Sequence, residues 1–314
     1  MQLNHRRGAS YTKMFFDTSN IYTQLLENKL FAKKEVDVSI VRLDKIHPVV
    51  SGNKLFKLHY FIEECLQTTH KTIATFGGAY SNHLIATAYS CQLMGLKSIG
   101  IVRGEKPPTL SHTLEQCIAY GMKLTFISRE DYTQKDNINF INSLVNEPNG
   151  FTVIPEGGFH PLGAKGASLI MQSINKDATH ICSATGTATT IAGLILSAAT
   201  HQQIIGINIL KGVSDTDERI SLLTGNKTDL KRLMMLNDYH FGGYAKQSPE
   251  LIAFMNELYQ QYQLPTDFVY TAKMLFAVFD SIAKGVFPKG SKISCLHTGG
   301  LQGNLSLPYN TLIF

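Results

Sequence analysis

Val50-Ser51-Gly52-Asn53-Lys54-Leu55-Phe56-Lys57-Leu58 sets a turn of small residues directly before an apolar-periodic segment. Leu55, Leu58, Phe61, Ile62 and Cys65 recur at helical spacing, which predicts a helix behind Lys54 with one buried face. A lysine at the mouth of a helix is commonly a solvated residue, so the neighbouring segments decide what Lys54 is for. Ahead of it, Val38–Leu43 is rich in β-branched residues and runs into a turn-rich stretch, which reads as a strand. Behind it, strands at Thr72–Phe76, Ser98–Val102 and Leu124–Ile127 alternate with helices at Ser81–Met94 and Ser111–Tyr120. Such alternation predicts a parallel sheet covered by helices, in a smaller α/β domain over residues 50–160.

A boundary is marked by Pro155-Glu156-Gly157-Gly158, Pro161 and Gly163. A second alternation follows: helix Ala167–Ile174, strand His180–Ala184, helix Thr190–Ala199 and strand Ile204–Ile209, with a last strand at Ile293–His297. Residues 1–49 and 161–314 are therefore assigned to a larger domain. The expected fold class is α/β with parallel or mostly parallel sheets, helices on both faces and a ligand site in the cleft between the domains.

The 314 residues are 44% hydrophobic and 17% charged, an ordinary globular composition. The net charge of +5 comes without a long basic run interleaved with aromatics, which argues against nucleic acid as a partner. Part of the surplus is His5-Arg6-Arg7. No stretch approaches the ~18 apolar residues of a membrane span, and no signal-peptide core is seen at the N-terminus. Cys65, Cys91, Cys117, Cys182 and Cys295 form no C-x-x-C pair and lie mostly in apolar contexts, so they read as buried thiols of a cytoplasmic protein.

Four turns sit where an α/β sheet binds ligands. Gly77-Gly78-Ala79-Tyr80-Ser81-Asn82 opens a helix, whose free N–H groups and short side-chain donors suit a carboxylate. A helix cap is the commoner use of residues such as Ser81 and Asn82. Thr185-Gly186-Thr187-Ala188-Thr189-Thr190 offers backbone N–H groups, hydroxyls and a helix dipole to a phosphate, or is simply a capped helix behind a strand. Tyr270-Thr271-Ala272-Lys273 and His297-Thr298-Gly299-Gly300 are ordinary when taken singly. There is no Walker loop, since Gly158–Lys165 has alanine where the lysine is required, and no G-x-G-x-x-G. No H-E-x-x-H, tight Cys/His cluster or G-x-S-x-G occurs, so no metal site is expected.

Taken in order, Ser51-Gly52-Asn53-Lys54-x-x-Lys57-Leu58, Gly77-Gly78-x-x-Ser81-Asn82-His83, Gly186-Thr187-x-x-Thr190-x-Ala192-Gly193-Leu194, His240-x-Gly242-Gly243-Tyr244-Ala245, Tyr270-x-x-Lys273 and His297-Thr298-Gly299-Gly300 resemble the 1-aminocyclopropane-1-carboxylate deaminase / D-cysteine desulfhydrase family. The resemblance runs from about Leu43 to Gly300. It implies the two-domain tryptophan-synthase-β-like fold (fold type II) and pyridoxal 5'-phosphate as cofactor, joined to Lys54 as a Schiff base. Asn82 would then contact the cofactor ring, and Gly186, Thr187, Ala188, Thr189 and Thr190 its phosphate, although Ala188 stands where the family often has glycine. Ser81 would hold the substrate carboxylate or act on the substrate, with Asn82, His83, Tyr244 and Tyr270 around it. Lys54, Ser81 and Tyr270 are the catalytic candidates. A small-molecule amino acid is the expected partner, and a homodimer the expected assembly.

Deaminases of this family usually carry glutamate directly after the tyrosine, where this chain has Thr271, and leucine where it has Thr298. A carboxylate near the pyridine nitrogen keeps it protonated; two hydroxyls do so less well. Thr271 and Thr298 therefore resemble the desulfhydrase pattern, which implies α,β-elimination from a D-amino acid such as D-cysteine. The alternatives are ring opening of 1-aminocyclopropane-1-carboxylate and a cofactor-binding amino-acid sensor with little turnover. Tyr80 stands where many relatives have glutamine, at the edge of the carboxylate site.

Overall fold

The computed structural model describes residues 14–50 and 52–314; His5-Arg6-Arg7 and Ser51 lie outside them. The strands are β1 (Thr23–Leu26), β2 (Asp37–Arg42), β3 (Thr72–Gly77), β4 (Lys97–Arg103), β5 (Met122–Ile127), β6 (Thr152–Ile154), β7 (His180–Thr185), β8 (Gln203–Asn208), β9 (Leu233–Leu236) and β10 (Lys292–His297). The helices are α1 (Lys29–Lys34), α2 (Asn53–Gln67), α3 (Asn82–Leu93), α4 (His112–Ala119), α5 (Ile138–Val145), α6 (Pro161–Ser168), α7 (Thr189–Ser197), α8 (Thr216–Thr224), α9 (Pro249–Tyr262) and α10 (Thr271–Ala283). Among the described residues, none of these helices is long and apolar enough to cross a membrane.

The strands form two sheets, one of six strands in the order β1-β2-β10-β7-β8-β9 and one of four in the order β5-β4-β3-β6. All pairings are parallel except β1 with β2. A parallel sheet of this kind needs cover on both faces, and the side-chain period of two supplies it. On the large sheet, Val41, Ile181, Ile204 and Leu296 enter one apolar cluster, while Ile40, Cys182, Ile205 and Cys295 enter another. The small sheet splits likewise: Ile73 and Val102 join the first cluster, and Ala74, Phe76, Ile99 and Ile101 form a third. All five cysteines are buried and unpaired.

Helix α2 buries Leu55, Leu58, Phe61, Ile62 and Cys65 as their spacing predicts. Burying each aliphatic or aromatic side chain is worth roughly 1.5–3 kcal/mol. The helix expected over Ala167–Ile174 is corrected: α6 spans Pro161–Ser168 and is followed by a 3-10 turn over Leu169–Ser173. Pro161 starts the helix, with the His160 side chain accepting from the Leu162 N–H. Gly163 reads as a boundary mark, yet it serves close packing, as does Gly166. A Cβ on Gly163 would lie 2.0 Å from the Gly158 carbonyl oxygen, and one on Gly166 would lie 2.1 Å from that of Phe56. The short strands β1, β6 and β9 carry no clear alternation and were not expected from the sequence.

Candidate active site

Lys54, Ser81, Asn82, His83, Gly186, Thr187, Ala188, Thr189, Thr190, Tyr244, Tyr270 and Thr298 line one cavity of about 800 Å³. They arrive from both sheets, on turns that follow β3, β7 and β10, on the starts of α2, α3, α7 and α10, and, for Tyr244, on the loop between β9 and α9. Thr271 is not among the lining residues. Its hydroxyl donates to the Asp267 carboxylate at 2.5 Å and accepts from the Asp267 N–H at 2.9 Å. Successive residues at a helix start point about 100° apart; here Tyr270 faces the cavity and Thr271 turns to Asp267.

Lys54 is partly buried, and its Nζ donates to Asn53 Oδ1 at 2.7 Å. Burial pushes its pKa down to about 8, against a smaller opposing pull from Asp267. Asn53 in turn donates from Nδ2 to Thr190 Oγ1 at 2.7 Å. One amide therefore ties the reactive amine to the phosphate turn. The sequence motif contains Asn53 but gave it no role, because its partner is 137 residues away. Lys57 was also missed. It is buried, lines the cavity and donates from Nζ to the Gly157 carbonyl at 3.2 Å. Burial, and then the neighbouring Lys54, push its pKa well down. Gly157 lies against the phosphate turn, since a Cβ there would be 2.8 Å from Thr187 Cγ2. Lys57 thus brings a hydrogen-bond donor beside that turn.

Ser81 caps α3, its Oγ accepting from the N–H groups of His83 at 3.3 Å and Leu84 at 3.2 Å. The cap leaves the hydroxyl proton free, so capping and carboxylate binding are compatible. Gly77 is required by packing, a Cβ there falling 2.5 Å from Ser81 Oγ, whereas Gly78 is open. His83 is pushed down to about 3 by burial, with Lys54 and Lys57 adding to the effect, and is neutral. Thr75 Oγ1 gives its proton to the Ile154 carbonyl at 2.7 Å, so His83 Nε2 donates to Thr75 at 2.9 Å. That assigns the tautomer and leaves Nδ1 as a buried acceptor without a partner. Tyr80 is 45% exposed and leans on His112 at 5.7 Å, which places it on the rim of the cavity.

At the aromatic wall, Lys54 Nζ lies 5.6 Å from the Tyr270 ring centroid, and the Tyr244 and Tyr270 rings meet edge to face at 6.1 Å. Burial, and then Tyr244, raise the Tyr270 phenol well above its ordinary range, so it stays protonated. Thr298 lines the cavity on the turn after β10, two residues before Gly300. A Cβ on Gly300 would come within 2.9 Å of Asn82 Nδ2.

These residues fit a phosphorylated aromatic ligand. The N–H groups opening α7, the Thr187 and Thr189 hydroxyls (3.0 Å apart) and Lys57 suit a phosphate. Asn82 Oδ1 and Thr185 Oγ1 are buried without partners and await polar ones. Ala188 has φ +63°, a left-handed backbone that disfavours an L side chain. Ala188→Gly is expected to stabilise the protein by about 1 kcal/mol, raising Tm by ~2–4 °C. A calorimetric Tm at or below that of the wild type would contradict the assignment of strain.

A protein of Thermotoga maritima, provisionally named a 1-aminocyclopropane-1-carboxylate deaminase, is 32% identical over 294 residues, covering 88% of this chain and 92% of that protein. The D-cysteine desulfhydrase of Klebsiella pneumoniae is 27% identical over 288 residues, covering 84% and 87%. Among solved structures, an ACC deaminase homologue superposes with a TM-score of 0.76 at 26% identity, covering 91% of this chain and 90% of that one. The family model described as "Pyridoxal-phosphate dependent enzyme" matches residues 18–299. With that span matched and the cavity furnished as above, the chain belongs to the pyridoxal-phosphate dependent enzyme family.

Proposed function

We propose that this enzyme, a pyridoxal-phosphate dependent lyase of the ACC deaminase / D-cysteine desulfhydrase type, eliminates the β-substituent of a D-amino acid, converting D-cysteine and water to pyruvate, ammonia and hydrogen sulfide. The observation that carries this reading is Thr298. It lines the cavity on the turn after β10, and the Thr271 hydroxyl is already bonded to Asp267. A neutral hydroxyl there suits loss of a good leaving group more than ring opening. The bound cofactor supplies an electron sink for charge developing at the substrate Cα. The Ser81 hydroxyl and the N-terminal end of α3 hold the substrate carboxylate. Lys54 Nζ, held by Asn53 beneath the cavity, removes the Cα proton. As the Cβ–S bond breaks, the Tyr270 phenol donates to the departing sulfur. The proposal includes a cytoplasmic homodimer, consistent with five buried, unpaired thiols and the family resemblance.

The names of the Thermotoga relative and of the solved homologue favour the second reading, ring opening to 2-oxobutanoate and ammonia. Parallel assays with D-cysteine and 1-aminocyclopropane-1-carboxylate decide between them. We expect sulfide and pyruvate from D-cysteine with kcat/KM at least about tenfold higher, or roughly 1.4 kcal/mol in transition-state binding. Release of 2-oxobutanoate without sulfide would reverse the assignment.

A further inference from the structure

We propose that Lys273 is a positioning residue, whose buried ammonium clamps two consecutive turns of the loop 240–246 and so sets Tyr244 against Tyr270. The inference rests on the reading above, in which these tyrosines wall the substrate side of the cavity. Lys273 is completely buried on α10, one helical turn beyond Tyr270. Its Nζ donates to the His240 carbonyl at 2.8 Å and to the Gly243 carbonyl at 2.8 Å. Each of these carbonyls already closes a turn. His240 O accepts from Gly243 N at 3.0 Å, and Gly243 O accepts from Lys246 N at 3.2 Å. Tyr244 lies on the segment that the second turn encloses.

The loop's other ties are short-range: His240 Nδ1 accepts from the Gly242 N–H at 3.0 Å, and two glycines take positive φ. Phe241, Gly242, Gly243 and Ala245 have φ of +51°, +89°, +118° and +53°, and two of the four are L side chains in the left-handed region. Tyr244 is 51% exposed, so burial alone does not fix it. The Phe241 ring meets Phe276 edge to face at 5.0 Å, which anchors the beginning of the loop but not Tyr244. An ammonium has donors and no acceptor, and here two of them meet two carbonyls in a site without water access. Burial brings the Lys273 pKa down to about 8 while the facing Asp267 carboxylate opposes the fall, so the cation prevails at neutral pH. Tyr270 and Lys273 stand three residues apart on one helix. A single rigid element therefore places both aromatic walls, one directly and one through the clamp.

The test compares Lys273→Met, which keeps the stem and loses the donors, with Lys273→Arg, which keeps a cationic donor. In the cofactor-loaded protein without substrate, Lys273→Met is expected to speed hydrogen exchange across residues 240–246 at least about tenfold, with α10 unchanged. It should also raise KM for the turned-over amino acid at least about tenfold, leaving kcat within about threefold and cofactor absorbance intact. Lys273→Arg should restore most of the protection, and Tyr244→Ala should reproduce the rise in KM. Lys273→Gln, which keeps a donor, replaces Lys273→Met in the comparison if the latter does not accumulate as folded protein. Unchanged exchange over 240–246, or faster exchange with an unmoved KM, overturns the inference. The exchange measurement needs no turnover, so failure of the lyase reading (no amino acid consumed by the wild type) is distinguishable from failure of the clamp.

Discussion

Lys54→Ala is expected to lower turnover by at least ~10³-fold, the loss that follows removal of a positioned base and nucleophile. The loss should come without unfolding. The side chain is only partly buried, and its single hydrogen bond ends on Asn53, which keeps its second bond to Thr190. The phosphate turn, Lys57 and Asn82 remain in place, so the variant should still take up pyridoxal phosphate. It should not form the borohydride-reducible adduct that the wild type forms. The pH dependence has a definite sign. The free amine is the reactive form, and with a pKa near 8 its fraction at pH 7 is roughly 300 times that of an ordinary lysine. Capture of the cofactor by wild-type apoprotein should therefore rise about tenfold per pH unit up to pH 8 and then level off. A variant that keeps more than a tenth of wild-type turnover, or still yields a reducible adduct at residue 54, would remove Lys54 from the mechanism.

Gly52→Ala should be the most damaging small substitution in the chain. Gly52 has φ +81° and ψ −158°, a region open to glycine and essentially closed to other residues. Space is lacking as well. A Cβ there would lie 1.8 Å from the Thr298 carbonyl oxygen and 2.9 Å from the Gly299 nitrogen. Both are main-chain atoms of the turn after β10, so no side chain can swing aside. Strain and overpacking each cost about 1–3 kcal/mol, for a combined loss of roughly 2–6 kcal/mol. Relief would require moving either the start of α2, with Lys54, or the turn that carries Thr298. Denaturant unfolding and cofactor titration measure the two consequences together. A variant within about 1 kcal/mol of the wild type and equal to it in cofactor affinity would show that the contact is softer than its geometry.

Much of this architecture is legible in the chain because its signals are local. The glycine-rich turns, the period of α2 and the β-branched strands β2, β3, β4, β7, β8 and β10 each announce themselves within a few residues. The turns at Lys54, Ser81–Asn82, Gly186–Thr190 and Thr298 are brought to one cavity. Most of what was not legible depends on contacts distant in sequence. Lys57 resembles any amphipathic helix position until Gly157 is seen beside it. Asn53 needs Thr190, and Lys273 needs the carbonyls at 240 and 243. Thr271 was placed beside the cofactor by the family resemblance, and its hydroxyl donates to Asp267 instead. Gly163 was taken for a boundary mark, since its close approach to the Gly158 carbonyl depends on how the chain enters α6.

The order β1-β2-β10-β7-β8-β9 puts the strand latest in sequence between two that precede it, β2 and β7. During synthesis from the N-terminus, the large sheet must therefore wait as two separate ribbons, each with an unpaired parallel edge, until residues 292–297 leave the ribosome. The same late insertion delivers the Thr298–Gly300 turn onto Gly52. A nascent chain lacking only its final segment would thus carry Lys54 on a finished helix with nothing to seat it against, and that interval is when this sequence depends most on being shielded from aggregation.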